Sequence, residues 1–142
     1  MLHQLEEHEG DRFRAFVNTR MGGGRELLTR PATFFINSVG VWGIDLIALY
    51  LALYVSPGLG LIAVYLTLVN ALVHIAGGIA LRAYNPGLWS AVALFVPVGV
   101  AGAVAIENGP GATAGQQALA LAIACGVHIA IIGYVRRRRE AS

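Results

Sequence analysis

Histidine and carboxylate side chains occur at helical spacing in two separate parts of the chain. His3 precedes Glu6 by three residues and Glu7 by four, so a helix would place one imidazole and two carboxylates on the same face. Asn70 and His74 are also four residues apart, which lets the amide orient the imidazole. Imidazole and carboxylate are the ligands of zinc and of non-haem iron or manganese, and helical bundles commonly build such sites from inward-facing Glu and His.

These spacings predict a site for a divalent metal, Zn, Fe or Mn, in which one carboxylate remains as a general base. The predicted metal ligands are His3, Glu6, Glu7, His74 and His128. The predicted catalytic residues are Glu6, Glu7 and His74, and the residues expected to support the ligands are Asn37 and Asn70. The pattern assigns no role to His8 or Glu9.

The same residues also have purely structural interpretations. A His–Asn pair in a membrane helix can simply hydrogen-bond across the bundle. A short run of His and Glu such as that at residues 3–9 is typical of a solvated helix face, and His128 alone is typical of a bundle histidine with a satisfied hydrogen bond. From the sequence, the metal site and these structural roles both remain open.

The chain that carries these residues is too apolar for a water-soluble fold. Of its 142 residues, 56% are hydrophobic and 13% are charged, whereas a typical globular domain has about a quarter charged residues. Four apolar stretches, at about 31–54, 58–81, 88–106 and 114–135, are each long enough for a helix that crosses a bilayer. The sequence therefore predicts an all-α, polytopic transmembrane bundle that forms a single membrane domain over residues 1–142.

Arginine supplies all ten basic residues, and their positions indicate an orientation in the membrane. They lie in the segment before residue 31, at Arg82 and in the tail at 136–139, whereas the loops near Pro57 and Glu107 contain none. Four spans place all of these positive segments on one side, which the positive-inside rule identifies as the cytoplasm. We therefore expect a multi-pass protein of the inner (cytoplasmic) membrane with a cytosolic C-terminus, whose partner is the lipid bilayer and not nucleic acid.

Distances along the helices place several polar residues in one layer of the membrane. His74 and His128 each lie eight residues before an arginine, and Asn37 lies seven residues after one. We expect all three about 10 to 12 Å inside the cytosolic edge. Asp45 falls nearer the middle of the membrane, where a carboxylate suits a proton path or an interhelical pair.

Small residues recur at four-residue intervals in the last two spans, a pattern that lets helix backbones approach closely in lipid. The third span has Gly99 and Ala103. The fourth span has a small-residue stripe that consists of Ala114, Ala118, Ala122, Gly126 and Ala130. We expect these faces to pack against other helices, either of this chain or of a second copy in a homo-oligomer. Pro97 is expected to kink the third span because it cannot donate a backbone hydrogen bond.

Four motifs of the chain resemble those of the HXXEE-domain family of small bacterial membrane proteins. In the family's order, they are His3-Gln4-Leu5-Glu6-Glu7, Phe34-Phe35-Ile36-Asn37-Ser38-Val39-Gly40, Asn70-Ala71-Leu72-Val73-His74 and Tyr84-Asn85-Pro86-Gly87. The resemblance implies a membrane location and a shared site but no particular reaction, since the family's activity is uncharacterised. Its members have a hydrophobic span that leads into the first motif, so this chain is expected to be four spans of a five-span protein.

A His/Glu/Asn site in the cytosolic half of the bilayer predicts a metal-dependent enzyme that acts on a lipid or other apolar substrate, by hydrolysis or by oxidation. The alternative is a proton-coupled transporter or carrier, in which the same residues relay protons toward Asp45. A third interpretation is a membrane accessory protein without catalytic activity.

Overall fold

The computed structural model describes residues 2–141, and this part of the chain is helical and contains no β-strand. Two short helices, α1 (Leu2–His8) and α2 (Arg12–Arg20), come first. The four long helices that follow are span 1 (Arg30–Tyr54), span 2 (Pro57–Leu81), span 3 (Leu88–Asn108) and span 4 (Ala114–Glu140). Each is long and apolar enough to cross a membrane, which confirms the predicted all-α bundle with four spans.

Two of the spans contain wide π-helical turns. In span 1 the turn covers Ile36–Gly43, and in span 3 it covers Ala91–Phe95. The second turn ends directly before Val96 and Pro97, where proline removes a backbone donor. The irregularity of span 3 therefore lies beside the residue predicted to kink it. Turns of this kind interrupt helices frequently at functional sites.

Span 2 forms the centre of the bundle and packs against the other three spans. Leu61 of span 2 is fully buried with Ala48 of span 1 and Ala120 of span 4. Gly99 of span 3 lies directly against Leu68 of span 2, since a Cβ at Gly99 would come within 2.6 Å of the leucine side chain. Because span 2 is central, side chains along most of its length can face the interior of the bundle.

The small-residue stripe of span 4 faces away from the bundle. All five of its members are exposed, and no atom lies within 4 Å of the place where a Cβ on Gly126 would stand. Span 4 packs instead through Ala120 and Ala124, which are fully buried and also four residues apart. Span 4 thus has two small-residue faces, and spacing alone does not tell which one meets the bundle. A contact of the stripe with a second copy stays a prediction.

The arginine-rich segments lie at the same end of the bundle. Val135, near the end of span 4, packs in one buried cluster with Val17 and Leu27. In the same region the Arg138 guanidinium donates a hydrogen bond to the Glu26 carbonyl at 3.2 Å. The N-terminal segment and the C-terminal tail therefore meet at one end, in agreement with the alternation of basic and uncharged loops along the sequence.

Span 1 is the least enclosed of the four long helices. Only 6% of the apolar stretch of span 1 is buried, compared with 28% of that of span 2. Its first half borders two grooves, one against α1 and one against span 4. Both grooves therefore lie along the surface of span 1.

Candidate metal centre

Helix α1 brings two side chains against span 2 near the arginine-rich end of the bundle. His3 and Glu7, four residues apart on one face of α1, are 2% and 6% exposed. They meet His74 of span 2, which is 3% exposed. The Glu7 Oε1 atom lies 3.0 Å from His74 Nε2 and 3.5 Å from His3 Nε2. The two imidazoles stand edge to face with their centroids 4.9 Å apart, so both rings border the same carboxylate oxygen.

These three residues have the composition of a metal-binding site. One ligand atom from each of His3, Glu7 and His74 lies within 4.8 Å of the other two. Two imidazole nitrogens and one carboxylate oxygen are a donor set used for non-haem Fe(II) and for catalytic zinc, both of which keep a coordination position open. The imidazole Nε2 of His74 faces the Glu7 carboxylate, whereas its Nδ1 atom lies on the side of the ring toward Gly87 and has no hydrogen-bond partner in the described chain. The residues present therefore fit a divalent ion.

The Glu7 carboxylate is the anionic member of this group. Burial acts to raise its pKa, but hydrogen bonds and charge interactions with His3 and His74 outweigh that effect and lower the pKa to about 2. Glu7 is therefore ionised at neutral pH, as a metal ligand must be.

Glu6 points its carboxylate to the start of span 3 and not to the group of His3, Glu7 and His74. Its Oε1 accepts hydrogen bonds from the Tyr84 hydroxyl at 2.6 Å and from the Trp89 amide at 3.1 Å. Its Oε2 accepts from the Ser90 amide at 2.8 Å and from the Ser90 hydroxyl. Burial acts to raise the pKa of Glu6, and these hydrogen bonds lower it to about 2. The carboxylate that was predicted to be a ligand and a general base is thus fully engaged in fastening α1 to span 3.

The hydrogen bond to Glu6 also fixes the tautomer of His3. Because the Ser90 hydroxyl donates to Glu6, its oxygen accepts from His3 Nδ1, which lies 2.8 Å away. His3 Nδ1 therefore carries a proton, which leaves Nε2, toward Glu7, as the nitrogen that can bind a metal ion. The Asn70 side-chain amide lies 3.2 Å from the same Nε2 atom, so Asn70 contacts His3 and not His74, the imidazole that its helical spacing was expected to orient. A metal-ligating histidine is usually oriented in this way, because its other ring nitrogen donates a hydrogen bond to a carboxylate or another acceptor.

The turn between spans 2 and 3 presses its backbone against both imidazoles. Gly87 has a φ of +97°, and a Cβ there would lie 2.6 Å from His74 Cε1 and 2.8 Å from His3 Cε1. Only glycine combines this backbone conformation with this close approach. The neighbouring Asn85 donates a hydrogen bond to the His74 carbonyl at 3.3 Å and so fastens the turn to span 2.

His8 connects the group to Asn37 of span 1. The Nε2 atom of His8 lies 3.7 Å from Glu7 Oε2, and the Asn37 amide donates to that same nitrogen at 3.0 Å. Asn37 also donates to the Thr33 carbonyl at 2.9 Å, so its side chain is held in place. Asn37 therefore supports the group through His8, a residue to which the sequence pattern assigned no role.

Two polar residues of the spans lie apart from the group. His128 donates a hydrogen bond from Nδ1 to the Ala124 carbonyl of its own helix at 2.8 Å, which is the structural interpretation of this residue. Asp45 has one buried carboxylate oxygen without a hydrogen-bond partner in residues 2–141. Among the five predicted ligands, the structure brings together His3, Glu7 and His74.

Several contributors to the site were not singled out as site residues from the sequence. They are Ser90, Tyr84, Gly87 and His8. Tyr84 and Gly87 belong to the motif Tyr84-Asn85-Pro86-Gly87, so a signal for them was present. The sequence signal for His8 was weaker. His8 lies four residues after Gln4 and seven before Ala15, on a segment with several charged residues. Ser90 had no such signal.

A comparison with protein families identifies the family to which this chain belongs. Residues 1–102 match the family described as a protein of unknown function with an HXXEE motif. The chain belongs to the HXXEE family. The structure explains the motif that gives the family its name: His3 and Glu7 face His74, while Glu6 fastens the same helix to span 3. No curated protein and no solved structure matches the chain.

Proposed function

We propose that this HXXEE protein is a membrane-embedded, metal-dependent enzyme that acts on a lipid or another apolar substrate. The observation that carries the proposal is the approach of His3, Glu7 and His74, whose ligand atoms lie within 4.8 Å of one another in a buried part of a membrane-type bundle. Ionisable residues in such a position are costly and are retained for function.

Each residue of the site then has a distinct task. Glu7 supplies the negative charge that a divalent ion needs, and His3 and His74 supply neutral nitrogen ligands. Glu6 and Ser90 hold a proton on His3 Nδ1, so that Nε2 is the nitrogen offered to the ion. The bound ion would act as a Lewis acid or lower the pKa of a water, and an iron or manganese ion would instead serve oxidation by dioxygen. His8 faces both Glu7 and the groove beside span 1, so we expect it to exchange protons with the substrate.

The position of the site supports a substrate taken from the bilayer. The site lies at the end of the bundle that carries the arginine-rich segments, and the positive-inside rule assigns that end to the cytoplasm. We therefore propose that the protein works at the cytosolic leaflet of the inner membrane, with its C-terminus in the cytosol.

A proton-coupled carrier is the second candidate, and Asp45 is the observation that favours it. A buried carboxylate oxygen without a partner near the middle of span 1 suits a proton-carrying group. This candidate predicts that Asp45→Asn abolishes pH-driven uptake into vesicles. An Asp45→Asn protein with full lipid-modifying activity would favour the enzyme.

The enzyme is tested by lipid mass spectrometry. The full chain, reconstituted in vesicles of mixed phospholipids, is incubated with Zn²⁺, Fe²⁺ or Mn²⁺ in air and compared with a chelator-treated sample. We expect a hydrolysed or oxygenated lipid that requires one of the metals, disappears with His74→Ala and persists with His128→Ala. If the metal-loaded, folded protein leaves every lipid unchanged, the proposed function is wrong.

A further inference from the structure

A groove between α1 and span 1 lies directly beside the candidate metal centre and encloses about 260 Å³. One wall is formed by Gln4, His8 and Asp11, in α1 and the turn after it. The other wall is one face of span 1, which includes Arg30, Asn37 and Trp42. The residues of this second wall lie next to one another along the helix, so the groove follows span 1 into the membrane.

His8 joins this groove to the metal centre. Its ring lines the groove, and its Nε2 atom lies 3.7 Å from Glu7 Oε2 and 3.0 Å from the Asn37 amide. A molecule in the groove therefore contacts His8, and His8 in turn lies between the groove and the Glu7 carboxylate.

The groove changes in polarity along its length. Arg30, at one end, is 82% exposed, and its guanidinium has only a distant contact, at 3.9 Å, with Asp11. The Asp11 carboxylate is hydrogen-bonded to Arg14, at 2.8 and 2.9 Å, and lies too far from Arg30 to accept a hydrogen bond from it. Asn37 follows about 10 Å further along the helix, and Trp42, which is half exposed, lies at about 18 Å from Arg30.

The groove is charged at one end, polar in the middle and aromatic at the other end. This order matches the headgroup, the polar linkage and the apolar chain of an amphiphilic lipid. We infer that the groove binds a lipid with an anionic phosphate headgroup, with the phosphate at Arg30, the polar linkage beside His8 and Asn37, and the acyl chain along Trp42. Arginine is suited to a phosphate because its planar guanidinium donates two parallel hydrogen bonds. The inference rests on the proposed function and deepens it by naming the substrate class.

A second groove provides an internal control. It lies between spans 1 and 4, encloses about 430 Å³ and is lined by apolar residues such as Val39, Val127 and Ile131, with Tyr134 as its one polar tip. A lipid chain in this second groove would have no charged residue in the lining to select its headgroup.

Fluorescence of Trp42 reports on the first groove. The chain has two tryptophans, and Trp89→Phe leaves Trp42 alone while keeping the Trp89 backbone amide that donates to Glu6. The protein is placed in phosphatidylcholine nanodiscs that contain either phosphatidic acid or phosphatidylcholine with brominated acyl chains, which quench a tryptophan on contact. We expect half-maximal quenching by brominated phosphatidic acid at an about tenfold lower mole fraction than by brominated phosphatidylcholine.

Matched variants locate the effect. Arg30→Gln should remove the preference for phosphatidic acid, whereas Arg25→Gln, which removes the same charge outside the groove, should keep it. Ser38→Phe, which fills the first groove, should also remove the preference, and Val127→Phe, in the second groove, should keep it. Equal quenching by the two lipids, or equal loss in Arg25→Gln and Arg30→Gln, would overturn the inference. The inference would also be overturned if water-soluble glycerol phosphate displaced the lipid as effectively as phosphatidic acid does, because the acyl chain would then contribute nothing to binding.

Quenching requires neither metal nor turnover, so the groove and the metal centre can fail separately. We expect Glu7→Gln to keep the preference for phosphatidic acid. A chain that binds metal but shows no lipid preference would refute the groove alone. A chain that prefers phosphatidic acid but binds no metal would refute the proposed function alone.

Discussion

His74 and His128 have the same setting in the sequence but different surroundings in the structure. Each lies eight residues before an arginine inside an apolar helix, so each is expected at the same depth. His74 is 3% exposed and has its Nε2 atom 3.0 Å from the Glu7 carboxylate. His128 hydrogen-bonds to the Ala124 carbonyl of its own helix. Distance from an arginine therefore does not predict whether a histidine joins a site.

The segments that surround each histidine make the difference. Around His74, α1 supplies His3 and Glu7, and the turn at 85–87 presses Gly87 onto the ring. Around His128, Ile129 is 68% exposed and Gly126 has no atom within 4 Å of its Cβ position. Two other segments thus converge on His74, whereas the hydrogen bond of His128 stays within its own helix.

The strongest way to break the convergence is Gly87→Ala. An L side chain is strained at a φ of +97°, and the new Cβ would overlap both imidazoles, so we expect a loss of about 3 kcal/mol or more in the free energy of unfolding. The measurement is denaturant unfolding of the detergent-solubilised chain, followed by circular dichroism. Gly126→Ala is the matched control near His128, where we expect no loss because the position is open and helical. Equal stability of Gly87→Ala and the natural chain would contradict the close contact at the turn.

Removal of each imidazole compares the two histidines directly. His74→Ala leaves the buried Glu7 charge without its nearest partner, so we expect a loss of about 2 to 4 kcal/mol. His128→Ala removes one hydrogen bond to the backbone and should cost about 1 kcal/mol. The same unfolding experiment measures both. If the two variants lose equal stability, the two histidines have equivalent surroundings and the distinction between them fails.

A smaller change sharpens the role of the support around His3. Ser90→Ala removes the hydroxyl that links His3 to Glu6 but leaves the Ser90 amide bound to Glu6, so we expect the fold to persist. Metal affinity should fall about 10- to 100-fold because His3 loses its fixed tautomer. Titration with Zn²⁺ measures the affinity. Ser56→Ala, whose hydroxyl accepts from Gln116 at the other end of the bundle, should leave the affinity unchanged, and an equal loss in both variants would remove Ser90 from the site.

The fold followed from the sequence because each span is encoded locally. Apolar runs of sufficient length, separated by turns such as Asn85-Pro86-Gly87, predict four spans, and residues 2–141 contain four helices of that length and composition. The direction in which a helix faces is not encoded in the same way. Ala120 and Ala124 face the bundle, and the equally regular small-residue stripe faces outward, because only the neighbouring helices decide which face is covered.

The site followed from the sequence only in part, for the same reason. His3 and Glu7 were predicted together because their spacing within α1 is local, and His74 because it is an ionisable residue in a span. Glu6 shares that local spacing, yet its partners Tyr84, Trp89 and Ser90 are about 80 residues away in the chain, and no periodicity reveals such a contact.

The most direct test of the metal centre is elemental analysis of the purified full chain. The natural chain and Glu7→Gln are loaded with Zn²⁺, Fe²⁺ or Mn²⁺, freed of excess ion and analysed by plasma mass spectrometry, with His128→Ala as the control. We expect one tightly held ion per chain in the natural protein and in His128→Ala, and none in Glu7→Gln. A folded natural chain without metal, or a Glu7→Gln chain that retains as much metal as His128→Ala, would contradict a metal centre at His3, Glu7 and His74.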